Sequence, residues 1–331
     1  MLHVGIAGLG RGQTAFVFNH LPDCQVTALC DINEDRLKQV GEQRGISQLF
    51  TRFEDLVASD VDAIFLATPL PEHATQASMA LESGKHVLSE VAAGFTWGDL
   101  WLLAHTAARS PATYMMAENY CFMRHVTHVR SMVEAGVFGD IYFGESEYVH
   151  DCKAWTHDAQ GRPTWRAMLH QVRGDMYPTH SLGPLYSFFK EPVREVVCFG
   201  SGPHLAPGSI LEDCIITLCH TASGKLIKLR YDTASYRPPS YLYYAVQGTQ
   251  GAYEAPRGLG DDHKVYVHGH TKENEWQPLS DFEEYLPEWY RELEAKAAEV
   301  EHNLSDYVTA WKFREAVLNN RPPEVDVWMS L

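Results

Sequence analysis

The sequence predicts an α/β protein: an N-terminal Rossmann domain with a doubly wound parallel sheet, then a C-terminal α+β domain with an open, largely antiparallel sheet. Three observations predict it. Over residues 1–120, short β-rich runs alternate with helical stretches, as a parallel sheet with crossover helices requires. A glycine turn, Gly8-Leu9-Gly10-Arg11-Gly12, joins the first run to the helix that follows. Beyond Asn119 the strands come one after another and helices bracket them. The 331 residues suffice for about two cores, and the boundaries are set at 1–120 and 121–331.

In chain order, residues 3–7 form the first strand and 25–30 the second. Strands follow at 61–67, 86–88 and 113–117, with helices at 34–44 and 73–83 between them. Their near-continuous apolar character suits a sheet covered on both faces. In the second domain a helix at 125–135 ends on Gly136, a glycine C-cap. Strands are expected at 141–149, 193–199, 214–219, 226–231, 242–248 and 265–268, with a turn at Gly248-Thr249-Gln250-Gly251. A last helix opens at Ser305, an N-cap type with Asp306 in its first turn, and stops before Arg321-Pro322-Pro323. Residues 325–328 read as a strand returning to the first domain.

Composition narrows the partners. With 27 Lys+Arg against 43 Asp+Glu the net charge is −16, which disfavours nucleic acid and anionic membrane surfaces. No apolar run reaches the roughly 18 residues of a span, and no basic region precedes the N-terminal apolar stretch. A cytoplasmic location follows as the expectation. The seven cysteines are scattered, with no Cys-x-x-Cys pair, and read as reduced structural thiols.

The glycine turn has the geometry of a phosphate cradle. Gly8 permits the tight turn, Gly10 lets a pyrophosphate approach the backbone, and the following helix end offers N–H groups. The third glycine of the motif is displaced: Gln13 stands in its place and Gly12 comes one position early. Asp31 closes the second strand 23 residues after Gly8, where an acid bonds a ribose 2′-hydroxyl and repels a 2′-phosphate. A dinucleotide is therefore expected, NAD rather than NADP, although Arg36 and Arg11 are nearby cations that a 2′-phosphate would welcome.

Ala67-Thr68-Pro69 with Glu72-His73-Ala74, and then Gly84-Lys85-His86-Val87-Leu88-Ser89-Glu90, resemble the Gfo/Idh/MocA oxidoreductases, which pair a Rossmann domain with an α/β domain and act mostly on sugars and polyols. Two positions depart from most of that family. Glu90-Val91-Ala92 replaces Glu-Lys-Pro, and Met176 stands four residues before His180 where an aspartate is usual. Ala117-Glu118-Asn119-Tyr120, Trp165-Arg166 and Tyr177-Pro178-Thr179-His180 instead resemble the NAD-dependent glycosidases typified by α-N-acetylgalactosaminidase. By that resemblance Arg11, Gly12, Asp31, Thr68, Pro69, Leu70, His73, Glu90, Val91 and Asn119 join Gly8 and Gly10 in contacting NAD. Tyr148, Arg166, Tyr177, Pro178, Thr179 and His180 line the sugar, with a further tyrosine at or near Tyr241.

A conventional glycosidase sets two carboxylates across the scissile bond. The route this resemblance implies is different: transient oxidation at C3 of the sugar, loss of the C2 proton, elimination at C1 and hydration. Proton carriers rather than a carboxylate pair are then needed, and His180 as acid/base with Tyr177 as partner fits neutral pH. Arg166 binds hydroxyls or the developing oxyanion. The bland alternatives stay open: His180 as a helix cap, Tyr177 as core packing, and Tyr148 with His150, which share one strand face, at solvent or a subunit interface. His125 and His128 read as a surface helix rather than a metal site with His150 or His157. The runner-up function is a net sugar or cyclitol dehydrogenase, followed by a non-catalytic NAD-binding sensor. An open sheet face in the second domain predicts a homodimer or homotetramer.

Overall fold

The computed structural model describes residues 1–169, 174–205, 212–300 and 302–331. It divides into two compact units, Met1–Phe122 with Glu292–Leu331, and Met123–Arg291. The C-terminal residues thus pack with the nucleotide-binding part, where the sequence reading had placed them in the second domain.

In the first unit, β1 (Leu2–Ala7), β2 (Cys24–Cys30), β3 (Gln48–Phe50), β4 (Ala63–Leu66), β5 (His86–Ser89) and β6 (Tyr114–Met116) form one parallel sheet in the order β3-β2-β1-β4-β5-β6. This is the doubly wound order with its reversal beside β1. Ile6, Leu29, Ile64 and Leu66 are fully buried, and each contributes on the order of 1.5–3 kcal/mol by leaving water. Helices α1 (Glu34–Arg44), α2 (Phe53–Val57), α3 (His73–Glu82) and α4 (Trp97–Arg109) make the crossovers. Asn33 caps α1 by accepting from Arg36 N at 3.0 Å, and Thr96 with Asp99 forms a capping box on α4. The segment after the glycine turn, Arg11–His20, winds as a tighter 3₁₀ helix rather than an α-helix.

In the second unit, α5 (Arg124–Glu134) leads into β7 (Ile141–Val149), and α6 (Thr179–Phe189) precedes β8 (Val193–Gly200), β9 (Ile215–Thr221), β10 (Leu226–Asp232), β11 (Ser240–Gly248), β12 (Gly251–Glu254), β13 (Lys264–Val267) and β14 (Gln277–Pro278). The sheet order is β14-β13-β12-β11-β7-β10-β9-β8, and only the β7–β10 pairing is parallel. One face carries α6: a side chain at Gly144 would collide with Phe189 at 2.8 Å. The opposite face of β7 carries Glu145 and Glu147, paired with Lys228 and Arg257. The edge strand β8 exposes Val196, Val197 and Phe199.

Helix α7 (Glu288–Glu299) is followed by α8 (Leu304–Leu318) and α9 (Val327–Ser330). Asn303, not Ser305, caps α8, and its side chain accepts from both Ser305 N and Asp306 N. Residues 327–330 form a helical turn capped by Asp326, not a strand. The return itself is real, because Met116 N donates to Val325 O at 3.0 Å beside β6. The expected surface helix at His125 and His128 is also corrected. His128 is fully buried with Nε2 at 2.7 Å from Phe282 O, and His125 stacks on His263 at 4.7 Å.

Candidate active site

The cofactor part of the site is built around the glycine turn. Gly8 has φ +87°, and a Cβ there would lie 2.4 Å from Ala67 O, so no other residue fits. Its N–H donates to Cys30 O at 2.8 Å, locking the turn between β1 and β2. A Cβ at Gly10 would meet nothing within 4 Å, which leaves that stretch of backbone approachable. A Cβ at Gly12 would meet Ile6 Cγ2 at 2.9 Å, so Gly12 performs the close helix–strand packing of the displaced third glycine.

Asp31 is buried, and its Oδ2 accepts from Leu9 N at 2.7 Å while Oδ1 accepts from Asn33 N at 2.8 Å. Arg36 Nη1 lies 3.5 Å from Oδ2. The carboxylate is thereby aimed at the turn. Pro69 leads into a tight turn at Leu70–Glu72, with Leu70 buried, and Thr68 Oγ1 donates to Gln76 Oε1 at 2.7 Å. His73 is buried with Nδ1 2.9 Å from Ala92 O and Nε2 2.8 Å from Thr68 O. Burial pushes the pKa of this imidazole down, against the pull of the two carbonyl oxygens that face its nitrogens. Val91 is also buried.

Arg11 Nε donates to Glu90 Oε1 at 3.0 Å, and Arg11 Nη2 lies 3.4 Å from Asp306 Oδ1, which also accepts from Asn119 Nδ2 at 2.7 Å. A cavity of about 20 Å³ lies against this network, edged by Glu90, Asn119 and Asp306 with Phe65 and Leu88 behind. It has room for one water and not for a nucleotide. A glycine cradle with open backbone at Gly10 and a buried acid at Asp31 fits an NAD group. Gly8, Gly10 and Asp31 are the residues that would hold its pyrophosphate and ribose.

The second unit brings the predicted sugar residues into one aromatic cluster. The Tyr148 ring lies 5.4 Å from His180, 6.0 Å from Tyr177 and 6.3 Å from Tyr241, and Tyr177 meets His180 edge-on at 5.2 Å. Tyr148 OH is 3.4 Å from His150 Nδ1, as their shared strand face implies. Pro178 precedes α6, which begins at Thr179, and Tyr244 OH donates to His180 O at 2.5 Å, pinning the first turn. Thr179 Oγ1 is buried without a hydrogen-bond partner among the described residues, a polar atom suited to a ligand. Arg166 stacks its guanidinium over Trp165 at 4.4 Å and Trp155 at 5.4 Å.

Sequence reasoning missed Asp175. Its Oδ1 accepts from Tyr177 N at 3.2 Å, and burial pushes its carboxyl up to about 6. Tyr231, stacked on Tyr148 at 6.3 Å, and Trp155, edge-on to His150 at 4.9 Å, were missed too. The signal for Asp175 was present: an acid two residues ahead of the Tyr-Pro-Thr-His run.

Residues 2–118 match the oxidoreductase family with an NAD-binding Rossmann fold, and residues 209–331 match the C-terminal domain of glycosyl hydrolase 109. The chain is thus similar to the oxidoreductase family in its first part and to glycosyl hydrolase 109 in its last. Its cofactor is NAD. A glycosyl hydrolase family 109 protein of Shewanella amazonensis is 29% identical over 99% of this chain and 79% of its own length. Another, from Saccharopolyspora erythraea, is 27% identical over 99% and 77%. Among solved structures, an NAD binding oxidoreductase from Klebsiella pneumoniae superposes with a TM-score of 0.81 at 17% identity, over 99% of this chain and 93% of that one. Levoglucosan dehydrogenase in complex with NADH and levoglucosan gives 0.78 at 17%, over 99% and 93%. At those identities the structures establish the fold, which agrees with the predicted fold class. No helix among the described residues is long and apolar enough to cross a membrane.

Proposed function

We propose that this protein is a redox-neutral glycosidase whose sugar pocket is the aromatic cluster of Tyr148, His150, Arg166, Tyr177, Pro178, Thr179, His180 and Tyr241. The observation that carries the reading is the convergence of Tyr177 and His180, 5.2 Å apart, on Tyr148, in a chain whose relatives are glycosyl hydrolases. NAD, when bound, would supply the hydride acceptor for C3 of the sugar and the hydride returned at the end, the C3 hydroxyl proton leaving to water in the first step and being regained in the last. His180 takes the C2 proton that the C3 ketone acidifies, and the developing oxyanion is met by the Arg166 guanidinium. The C1–O bond then breaks, with Tyr177 giving its proton to the departing oxygen. Water adds at C1, its proton restores Tyr177, and His180 returns its proton to C2. The net change is hydrolysis.

Aryl glycosides incubated with the protein test this. Aglycone release that requires NAD yet leaves no net NADH is the expected result. One NADH formed per sugar consumed would overturn it in favour of a dehydrogenase, and NAD binding with neither signal would leave a sensor.

We also infer a homodimer or homotetramer built through the open face of the second unit's sheet, because β8 leaves Val197 and Phe199 exposed beside Leu218. Light scattering should show an assembly in solution, and Phe199→Asp should reduce it to monomer. We read the protein as cytoplasmic and without nucleic-acid partners: the seven cysteines form no disulfide among the described residues and the net charge is −16.

A further inference from the structure

The first turn of α8 carries Asp306, a residue the resemblance did not assign to the cofactor site. Asp306 is held in place by its own N–H, which donates to Asn303 Oδ1 at 3.3 Å. Its Oδ1 accepts from Asn119 Nδ2 at 2.7 Å and lies 3.4 Å from Arg11. Arg11 shares its charge with Glu90 at 3.0 Å. The two carboxylates are only 14% and 16% exposed, whereas Arg11 is half exposed. Water therefore competes weakly at the Asp306–Asn119 contact and strongly at the guanidinium.

A carboxylate only accepts, while an asparagine amide has one donating and one accepting end. The contact with Asp306 consequently decides which way Asn119 points. Its NH₂ group goes to the carboxylate, and its amide oxygen is the end left to meet a ligand. We propose that Asp306 is a positioning residue of the cofactor site: it orients Asn119 so that the amide oxygen accepts from a hydrogen-bond donor of NAD, a ribose hydroxyl or the carboxamide N–H. The inference rests on the NAD reading of this site, with Asn119 as part of it.

The test is calorimetric titration of the full-length protein with NAD, with melting temperatures recorded without NAD. Asn119→Asp sets two carboxylates against each other while keeping an acceptor oxygen at 119, and should raise Kd by about tenfold or more. Adding Asp306→Asn reverses the hydrogen bond and should bring Kd back to within about threefold of wild type. Asp306→Asn alone keeps an acceptor and should bind within about threefold of wild type, whereas Asp306→Ala should lose about tenfold. A folded double variant no better than Asn119→Asp overturns the proposal, as does wild-type affinity in Asp306→Ala. If the double variant does not fold, the Asp306→Asn and Asp306→Ala pair decides by the same criterion. Wild-type protein that takes up no NAD would instead sink the cofactor reading itself.

Discussion

The two units concentrate opposite materials. The first gathers backbone N–H groups and charge: Gly8 and Gly10 shape the turn, and Arg11 is shared between Glu90 and Asp306. The second gathers rings, with Tyr148 in contact with Tyr177, His180, Tyr231 and Tyr241. The difference suits the two ligands proposed. A pyrophosphate is a permanent anion that fixed donors satisfy, and net charge is no obstacle when those donors are peptide groups. A sugar is neutral, and a reaction that moves protons across it needs groups able to change charge in a surrounding that does not hold them to one state. Burial lowers the pKa of His150 against the pull of Asp151.

That contrast can be broken at either end. The largest effect should come from His180→Ala, which is expected to cost about 10³-fold or more in kcat on a responsive glycoside, with NAD affinity measured by calorimetry unchanged. Gly8→Ala comes next, since a methyl 2.4 Å from Ala67 O at φ +87° should cost about 2–3 kcal/mol in urea unfolding and weaken NAD binding. Asp175→Asn should stabilise the protein, and only at higher pH. The carboxyl titrates at about 6 in the fold against 3.8 for an ordinary aspartate, so stability is greatest below 3.8, falls as pH rises from there to 6, and levels off above. Removing the carboxyl should recover about 2–3 kcal/mol at pH 8 and nothing at pH 3; equal effects at both would refute the burial argument. The smallest change is Arg36→Ala. This guanidinium is 46% exposed and 3.5 Å from Asp31, so NAD affinity should move by less than about fivefold.

The parts of this architecture legible in the sequence are those that sit close together along the chain. The cradle, the acid at Asp31 and the Tyr177–His180 run are short motifs, and α1 emerges at Glu34–Arg44 as its periodicity and flanking Asn33 and Gly45 imply. Three-residue β3 is too short to show any period, and α4, with exposed Trp97 and Trp101 on its surface, hides its amphipathic pattern. The start of α8 was misplaced because Asn303 and Ser305 are both cap-forming types, and only geometry shows which side chain reaches the free N–H groups. Asp306 was invisible as a site residue for a different reason: its partner Asn119 is 187 residues away. The burial that raises Asp175 is likewise a property of the assembled cluster, not of its neighbours in sequence.

The return of the chain beside β6 has a consequence for biogenesis. Residues near Met116 acquire their partner at Val325, and Asn119 acquires Asp306, only once synthesis has passed those positions. Until then the nucleotide-binding unit waits with its last strand half-clothed, while Met123–Arg291, whose residues lie between, can complete its own sheet during synthesis. On the proposed role of Asp306, capture of NAD has to wait for α8, and a chain cut short before that helix should fail to retain the cofactor.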